Sequence, residues 1–255
     1  MFSASTLKRV LISAACLLLP QAVYAKSLVD ANNKAAFVEL QTSSKQPFTA
    51  YVVGPKQAKQ AILLIHGWWG LNRQVVAWAN EYAVAGYRVM AIDLYHHQVT
   101  SNASKAKKLM QSVKQSYADG IYATAINSLS MPGRKIAIIG HSYGAAQAIH
   151  AAMVTRNKVA ATVVYYPYGD LDTDKNALTA IKSPILGHFA RKDFFLTTEK
   201  LTQLTSSMKN AGLSLTVNVY EARHGFDNPS GNNFNEVAYK LAEKRTQAFL
   251  DKYLR

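Results

Sequence analysis

Cysteine, acidic residues and long apolar runs are all scarce in this chain, and each shortage closes off a class of reading. The one cysteine in 255 residues is Cys16. It falls inside a leader-like N-terminus, so the rest of the chain has no disulfide framework, thiol chemistry or cysteine-ligated metal. Only 15 Asp and Glu stand against 29 Lys and Arg, giving a formal charge of +14. The cations are spread along the chain, with Lys105, Lys107, Lys108 and Lys114, then Lys240, Lys244, Arg245, Lys252 and Arg255, at spacings that suit solvated helix faces. No nucleic-acid module accompanies them, so a nucleic-acid partner is not expected. Through long-range steering, the charge suggests weak association with anionic envelope polymers or with an acidic substrate. No apolar stretch approaches the roughly 20 residues of a membrane span. Repeats, low-complexity tracts and Pro/Gly/Ser linkers are also missing, and 49% of residues are hydrophobic. A single domain over residues 26–255 with one large core is therefore expected.

The first 25 residues read as a secretory leader. Lys8 and Arg9 precede an apolar run at 10–19, followed by Pro20 and the small-residue exit Val23-Tyr24-Ala25. Cleavage after Ala25 would make the mature protein periplasmic or secreted. A lipoprotein reading through Ala14-Ala15-Cys16 fits poorly, because the apolar run continues past the cysteine.

Downstream, apolar segments alternate with amphipathic ones. Strands are expected at 37–40, 48–53, 61–65, 88–92, 135–139, 159–165, 185–190 and 215–220, the first two forming an edge hairpin. Helices are expected at 73–85, 104–129 (broken near Asp119-Gly120), 143–153, 198–210 and 234–254. This alternation implies a mostly parallel eight-stranded sheet covered by helices on both faces. Reactive groups are then expected in the loops that follow strands.

Three such loops carry chemistry. Gly140-His141-Ser142-Tyr143-Gly144 joins an apolar strand to an alanine-rich helix, the context in which G-x-S-x-G forms a strained nucleophile turn. Asp193 follows the seventh strand and His224 the eighth. The chain order Ser142, Asp193, His224 is that of an α/β-hydrolase triad of nucleophile, orienting acid and base. Asp170, Asp172 or Asp174, after the sixth strand, is the alternative acid. The Gly67-Trp68-Trp69-Gly70 turn offers the N–H of Trp68 as an oxyanion donor beside that of Tyr143. His66, His141, His150 and His188 read as structural or exposed. The His96-His97 pair lacks a third ligand, so no metal is expected, and the chemistry needs no cofactor.

Trp69, Tyr95, Tyr166, Tyr168, Phe194 and Phe226 fall at or just past strand ends and are expected to form an aromatic substrate cleft. Residues 166–184 are too few for a cap domain, so the cleft is expected to be open and shallow. The resulting expectation is hydrolysis of a carboxylic ester through an acyl-enzyme. The same triad could serve acyl transfer, and the fold with its chemistry silenced could serve as an envelope-binding protein.

The motifs HGWWGLN (66–72), AIDLY (91–95), GHSYGA (140–145), YPYG (166–169), ILGHFARKD (185–193) and YEARHGF (220–226) together resemble the dienelactone hydrolase family. The resemblance implies an α/β-hydrolase fold and ester or lactone hydrolysis without a cofactor. Three positions depart from the members that act on dienelactone. Ser142 stands where those use cysteine, Gly67 where they carry a glutamate, and His97 and Asn228 where arginines hold the substrate carboxylate. The resemblance is thus closer to the family's serine esterases.

Overall fold

A computed structural model of the chain describes residues 35–169, 171 and 174–255. The expected leader, Asp170 and Asp172 lie outside the described residues. The strands are β1 Ala36–Gln41, β2 Pro47–Val53, β3 Gln60–Ile65, β4 Arg88–Ile92, β5 Lys135–His141, β6 Ala161–Tyr165, β7 Ile185–Ala190 and β8 Leu215–Tyr220. The helices are α1 Arg73–Val84, α2 Ala103–Ser112, α3 Gln115–Leu129, α4 Tyr143–Thr155, α5 Lys175–Leu178, α6 Thr198–Asn210 and α7 Glu236–Leu254. A short 3₁₀ turn, Arg156–Lys158, leads into β6.

The strands form one sheet in the order β1-β2-β4-β3-β5-β6-β7-β8. β2 pairs antiparallel with both β1 and β4, and the other neighbouring strands pair in parallel. In β5, β6 and β7 nearly every residue is buried, because helices cover both faces and leave no polar side for alternation to mark. On one face α3, α4 and α6 pack over Leu63, Ile138 and Val164. On the other α1 and α7 pack over Leu64, Ile139 and Val163. Parallel register aligns the carboxyl ends of β3, β5, β6 and β7 along one rim, so the loops that carry the site open side by side.

Two helix expectations are corrected. The 104–129 segment breaks at Val113 and Lys114, which are extended (ψ 111° and 129°), rather than near Asp119-Gly120. Gly120 continues α3 because the helix rides close over Thr42, where a Cβ would come within 3.1 Å. The last helix starts at Glu236, not 234, because the Asn235 side chain accepts the Ala238 N–H at 3.0 Å and caps it.

A buried polar chain joins α7 to the sheet. The Tyr165 hydroxyl donates to Glu243 Oε1 at 2.9 Å and lies 2.7 Å from Thr246 Oγ1. Thr246 also meets His188 Nε2 at 2.9 Å, and His188 Nδ1 meets the Tyr220 hydroxyl at 2.7 Å. Burial pushes His188 down to about 3, so its imidazole is neutral. Burial, with the charge of Asp227 adding to it, pushes Glu243 up from 4.5 to about 7. Its stabilising contribution is therefore full below pH 4.5 and lost as pH rises through about 7. Glu243→Gln, which keeps an acceptor for Tyr165, should raise Tm relative to wild type by about 2 °C or more at pH 8. At pH 4.5 it should give no gain; equal shifts in thermal scans at both pH values would contradict the assignment.

Candidate active site

Ser142 occupies the step from β5 to α4 with φ 56° and ψ −119°, a conformation that side chains other than glycine adopt only under constraint. The constraint is crowding. A Cβ on Gly140 would lie 2.0 Å from the Gly144 carbonyl oxygen, and one on Gly144 would lie 2.2 Å from that of Ile65. The turn is pinned by the Ser142 N–H donating to the Tyr165 carbonyl at 2.9 Å. The Ser142 carbonyl in turn accepts the N–H groups of Ala145 and Tyr168 at 2.9 and 3.1 Å.

The hydroxyl so presented lies 2.7 Å from His224 Nε2. His224 Nδ1 lies 2.8 Å from Asp193 Oδ2. An ionised carboxylate only accepts, so Nδ1 carries the proton and Nε2 is left to accept from the serine. Asp193 is held by its own turn, its Oδ1 accepting the N–H groups of Phe195 and Leu196 at 2.8 and 3.1 Å. Its side chain is 1% exposed and that of His224 16%, so the bond between them is dry while the imidazole reaches the cleft. Among the alternative acids, Asp174 is exposed and accepts the Asn176 N–H at 3.1 Å near the start of α5.

The loop after β3 is set by His66. Its Nε2 accepts the Leu94 N–H at 3.0 Å, which puts the ring proton on Nδ1, 2.7 Å from the Gly67 carbonyl. Burial holds the imidazole pKa below its ordinary value. The same carbonyl accepts the Gly70 N–H at 3.1 Å. In a trans peptide the following N–H points the opposite way, so anchoring the Gly67 carbonyl also directs the N–H of Trp68. This loop abuts the serine turn, the Cβ position of Gly67 lying 3.3 Å from the His141 carbonyl oxygen and 3.7 Å from Ser142 Cβ. Tyr143 begins α4, and the first N–H groups of a helix have no intrahelical acceptor.

Behind Ser142 and His224, the fully buried Asp227 joins its own loop to Tyr166 after β6 and to His141 at the end of β5. It takes the Tyr166 hydroxyl on Oδ1, and its Oδ2 stands 3.1 Å from His141 Nε2. His141 is stacked between Trp78 and Tyr165, with centroids 3.9 and 4.6 Å away. The Tyr166 ring meets His224 edge-on at 4.8 Å.

Two hollows meet at Ser142 and His224. The smaller, about 90 Å³, is walled by Gly67, Trp69, Gln74, Val75, Trp78 and Tyr166. The larger, about 280 Å³, runs between aromatic residues (Trp68, Trp69, Tyr168 and Phe195) and a rim of Asn228, Asn232 and Asn233. Among the described residues, neither is lined by Lys, Arg, Asp or Glu. No cluster of potential metal ligands occurs among the described residues.

Comparison with known proteins places this arrangement. A profile of the dienelactone hydrolase family matches residues 48–254. The chain belongs to the dienelactone hydrolase family. It is thus a hydrolase of the α/β-hydrolase fold, acting on ester or lactone bonds. Carboxymethylenebutenolidase 1 of Cupriavidus pinatubonensis is 26% identical over 230 residues, covering 84% of this chain and 95% of that one. A Klebsiella pneumoniae structure described as a dienelactone hydrolase superposes with a TM-score of 0.75 at 19% identity, covering 87% of this chain and all of that one. An esterase of Pyrococcus furiosus gives 0.62 at 16%, covering 88% and 92%. At these identities the two structures speak to fold alone.

Within the family frame, Asn228 lines both hollows. His97 lines neither, meeting Thr49 at 2.8 Å and Glu39 at 3.4 Å instead. Of the aromatic residues expected at the cleft, Trp69 lines both hollows, Tyr166 the smaller and Tyr168 the larger. Tyr95, Phe194 and Phe226 are corrections. Tyr95 is buried beneath the loop, its ring 4.7 Å from His66, and Phe226 is sealed among Tyr165, Tyr166 and Tyr220. Phe194 points to solvent, 87% exposed, because the turn capped by Asp193 directs Phe195 to the cleft instead. Sequence reasoning missed Phe195, Trp78 and the asparagine rim; only the Asn-Asn pair at 232–233, in the loop after His224, hinted at polar recognition.

Tyr166→Phe removes the donor from a buried carboxylate oxygen, a loss of about 1–3 kcal/mol. The variant should melt several degrees lower while remaining folded, with kcat and KM changing little, because the phenyl ring keeps the edge-on contact with His224. A full kinetic and thermal comparison with wild type checks both.

Proposed function

We propose that this protein is a serine carboxylesterase working through an acyl-enzyme. The observation that carries the reading is the continuous row Ser142 Oγ, His224 Nε2, His224 Nδ1 and Asp193 Oδ2, with contacts of 2.7 and 2.8 Å. In this reading His224 takes the serine proton as Oγ attacks the ester carbonyl, and Asp193 stabilises the imidazolium that forms. The N–H groups of Trp68 and Tyr143 receive the oxyanion. His224 then protonates the departing alkoxide, and as base activates the water that releases the acid. Gly67, where a glutamate would prime a thiol, suits a serine that needs only the imidazole. The leader reading of residues 1–25 extends the proposal to export, which N-terminal sequencing of the mature protein, expected to begin at Lys26, would test.

Ser142→Ala and His224→Ala should each lower kcat on 4-nitrophenyl acetate by about 10⁴-fold or more, with little change in thermal stability. Wild type should take up one fluorophosphonate label, on Ser142 by peptide mapping. A folded protein that refuses the label, or a Ser142→Ala variant with ordinary turnover, would sink the proposal.

A further inference from the structure

Resting on the serine-esterase reading, the two hollows divide the substrate between them. We propose that the substrate is a short-chain acyl ester, acetyl to butyryl, of an uncharged sugar-like polyol, with the acyl group in the smaller hollow and the polyol in the larger.

The smaller hollow, about 90 Å³ against about 280 Å³ for its neighbour, is the tighter of the two and suits the smaller part of the substrate. Its floor is Val75 and Trp78 of α1, both buried, and Trp78 cannot swing aside because its indole lies flat on His141, 3.9 Å away and tilted by 12°. A long acyl chain would have to displace this stack, so the wall selects short acids.

The larger hollow has a different chemistry. Trp68 packs on Trp69 at 4.6 Å, Tyr168 on Phe195 at 4.7 Å, and Trp68 meets Tyr168 edge-on at 5.8 Å, which makes a continuous aromatic wall. Opposite stand Asn228, Asn232 and Asn233, amides that each offer both a donor and an acceptor. Asn233 is fixed in place by donating to the His224 carbonyl at 2.9 Å, and Asn228 by accepting the Ser230 N–H at 3.0 Å. A pyranose presents an apolar C–H face and a ring of hydroxyls, matching the aromatic wall and the amide rim respectively. An alkyl chain in this groove would make no use of the amides, whereas sugar hydroxyls would pair with them. A carboxylate would meet no Lys or Arg among the described residues lining it.

The reaction then runs without a further reagent. The Ser142 Oγ–acyl carbon bond forms as the proton moves to His224, the bond from that carbon to the sugar oxygen breaks, and His224 returns the proton to the sugar hydroxyl. Water adds to the acyl carbon, its proton passing through His224 to Ser142 as the serine ester breaks. The products are the free polyol and a short-chain acid.

The test uses the full-length enzyme on 4-nitrophenyl acetate, butyrate and octanoate, on xylose tetraacetate, and on methyl benzoate, with fluorophosphonate labelling of Ser142 run alongside. Expected are kcat/KM values at least about ten-fold lower for octanoate than butyrate, equal to the loss of about 1.4 kcal/mol of transition-state binding. Acetate release from xylose tetraacetate should exceed hydrolysis of methyl benzoate. Asn232→Ala should raise KM for the acetylated sugar about five-fold more than for 4-nitrophenyl acetate, the size of one hydrogen bond. Rising activity out to octanoate would overturn the acyl assignment. Methyl benzoate outpacing the acetylated sugar, or equal KM shifts in Asn232→Ala, would overturn the polyol assignment. Labelling of Ser142 in either case leaves the serine-esterase reading standing, whereas failure to label overturns that reading itself.

Discussion

The close approach of β5, α4 and the end of β3 is the constraint on which the rest of the site depends. Three backbones meet where Gly140 and Gly144 have no side chains, and any Cβ there would overlap a carbonyl of the next element. That contact forces Ser142 to φ 56° and lifts its hydroxyl off the sheet rim. A looser turn would let the serine relax to an ordinary helical start, turning its hydroxyl towards the first amides of α4, as N-cap serines commonly do. Strain at one residue is tolerated because the surrounding sheet is buried on both faces and cannot shift to relieve it.

The imidazole of His224 and the carboxylate of Asp193 reach that hydroxyl from loops held in turn by buried polar contacts. His66 anchors the Gly67 peptide, Asp193 caps its own turn, and Asp227 links the loop that carries His224 to Tyr166 and to His141 at the end of β5. Each link places a charge or polar atom where water cannot compete, so each is sensitive to loss of a single partner. The outcome is a hydrogen-bonded row whose carboxylate end is dry and whose hydroxyl end opens to the cleft.

Much of this was legible from residues alone. The G-x-S-x-G turn between an apolar strand and an alanine-rich helix announced the elbow, and the alternation of buried strands with amphipathic helices announced a parallel sheet. Those signals are local, set by sterics and by hydrophobic period. Phe194 and Phe195 show where legibility ended: two identical side chains in succession, one in solvent and one at the cleft, separated only by which way the Asp193 turn bends. Gly120 shows the same limit, since its role in a helix interior depends on Thr42, about eighty residues earlier in the sequence.

By itself, then, the sequence determined the fold class and the chain order of serine, aspartate and histidine, because these follow from composition and spacing. Tertiary structure alone decided that the three side chains form one hydrogen-bonded row, that Tyr95 and Phe226 belong to the core rather than the cleft, and that two hollows of unequal size share one hydroxyl. The reason is physical. Distances between groups up to 82 residues apart are set by sheet register and helix packing, which no local stretch of sequence encodes.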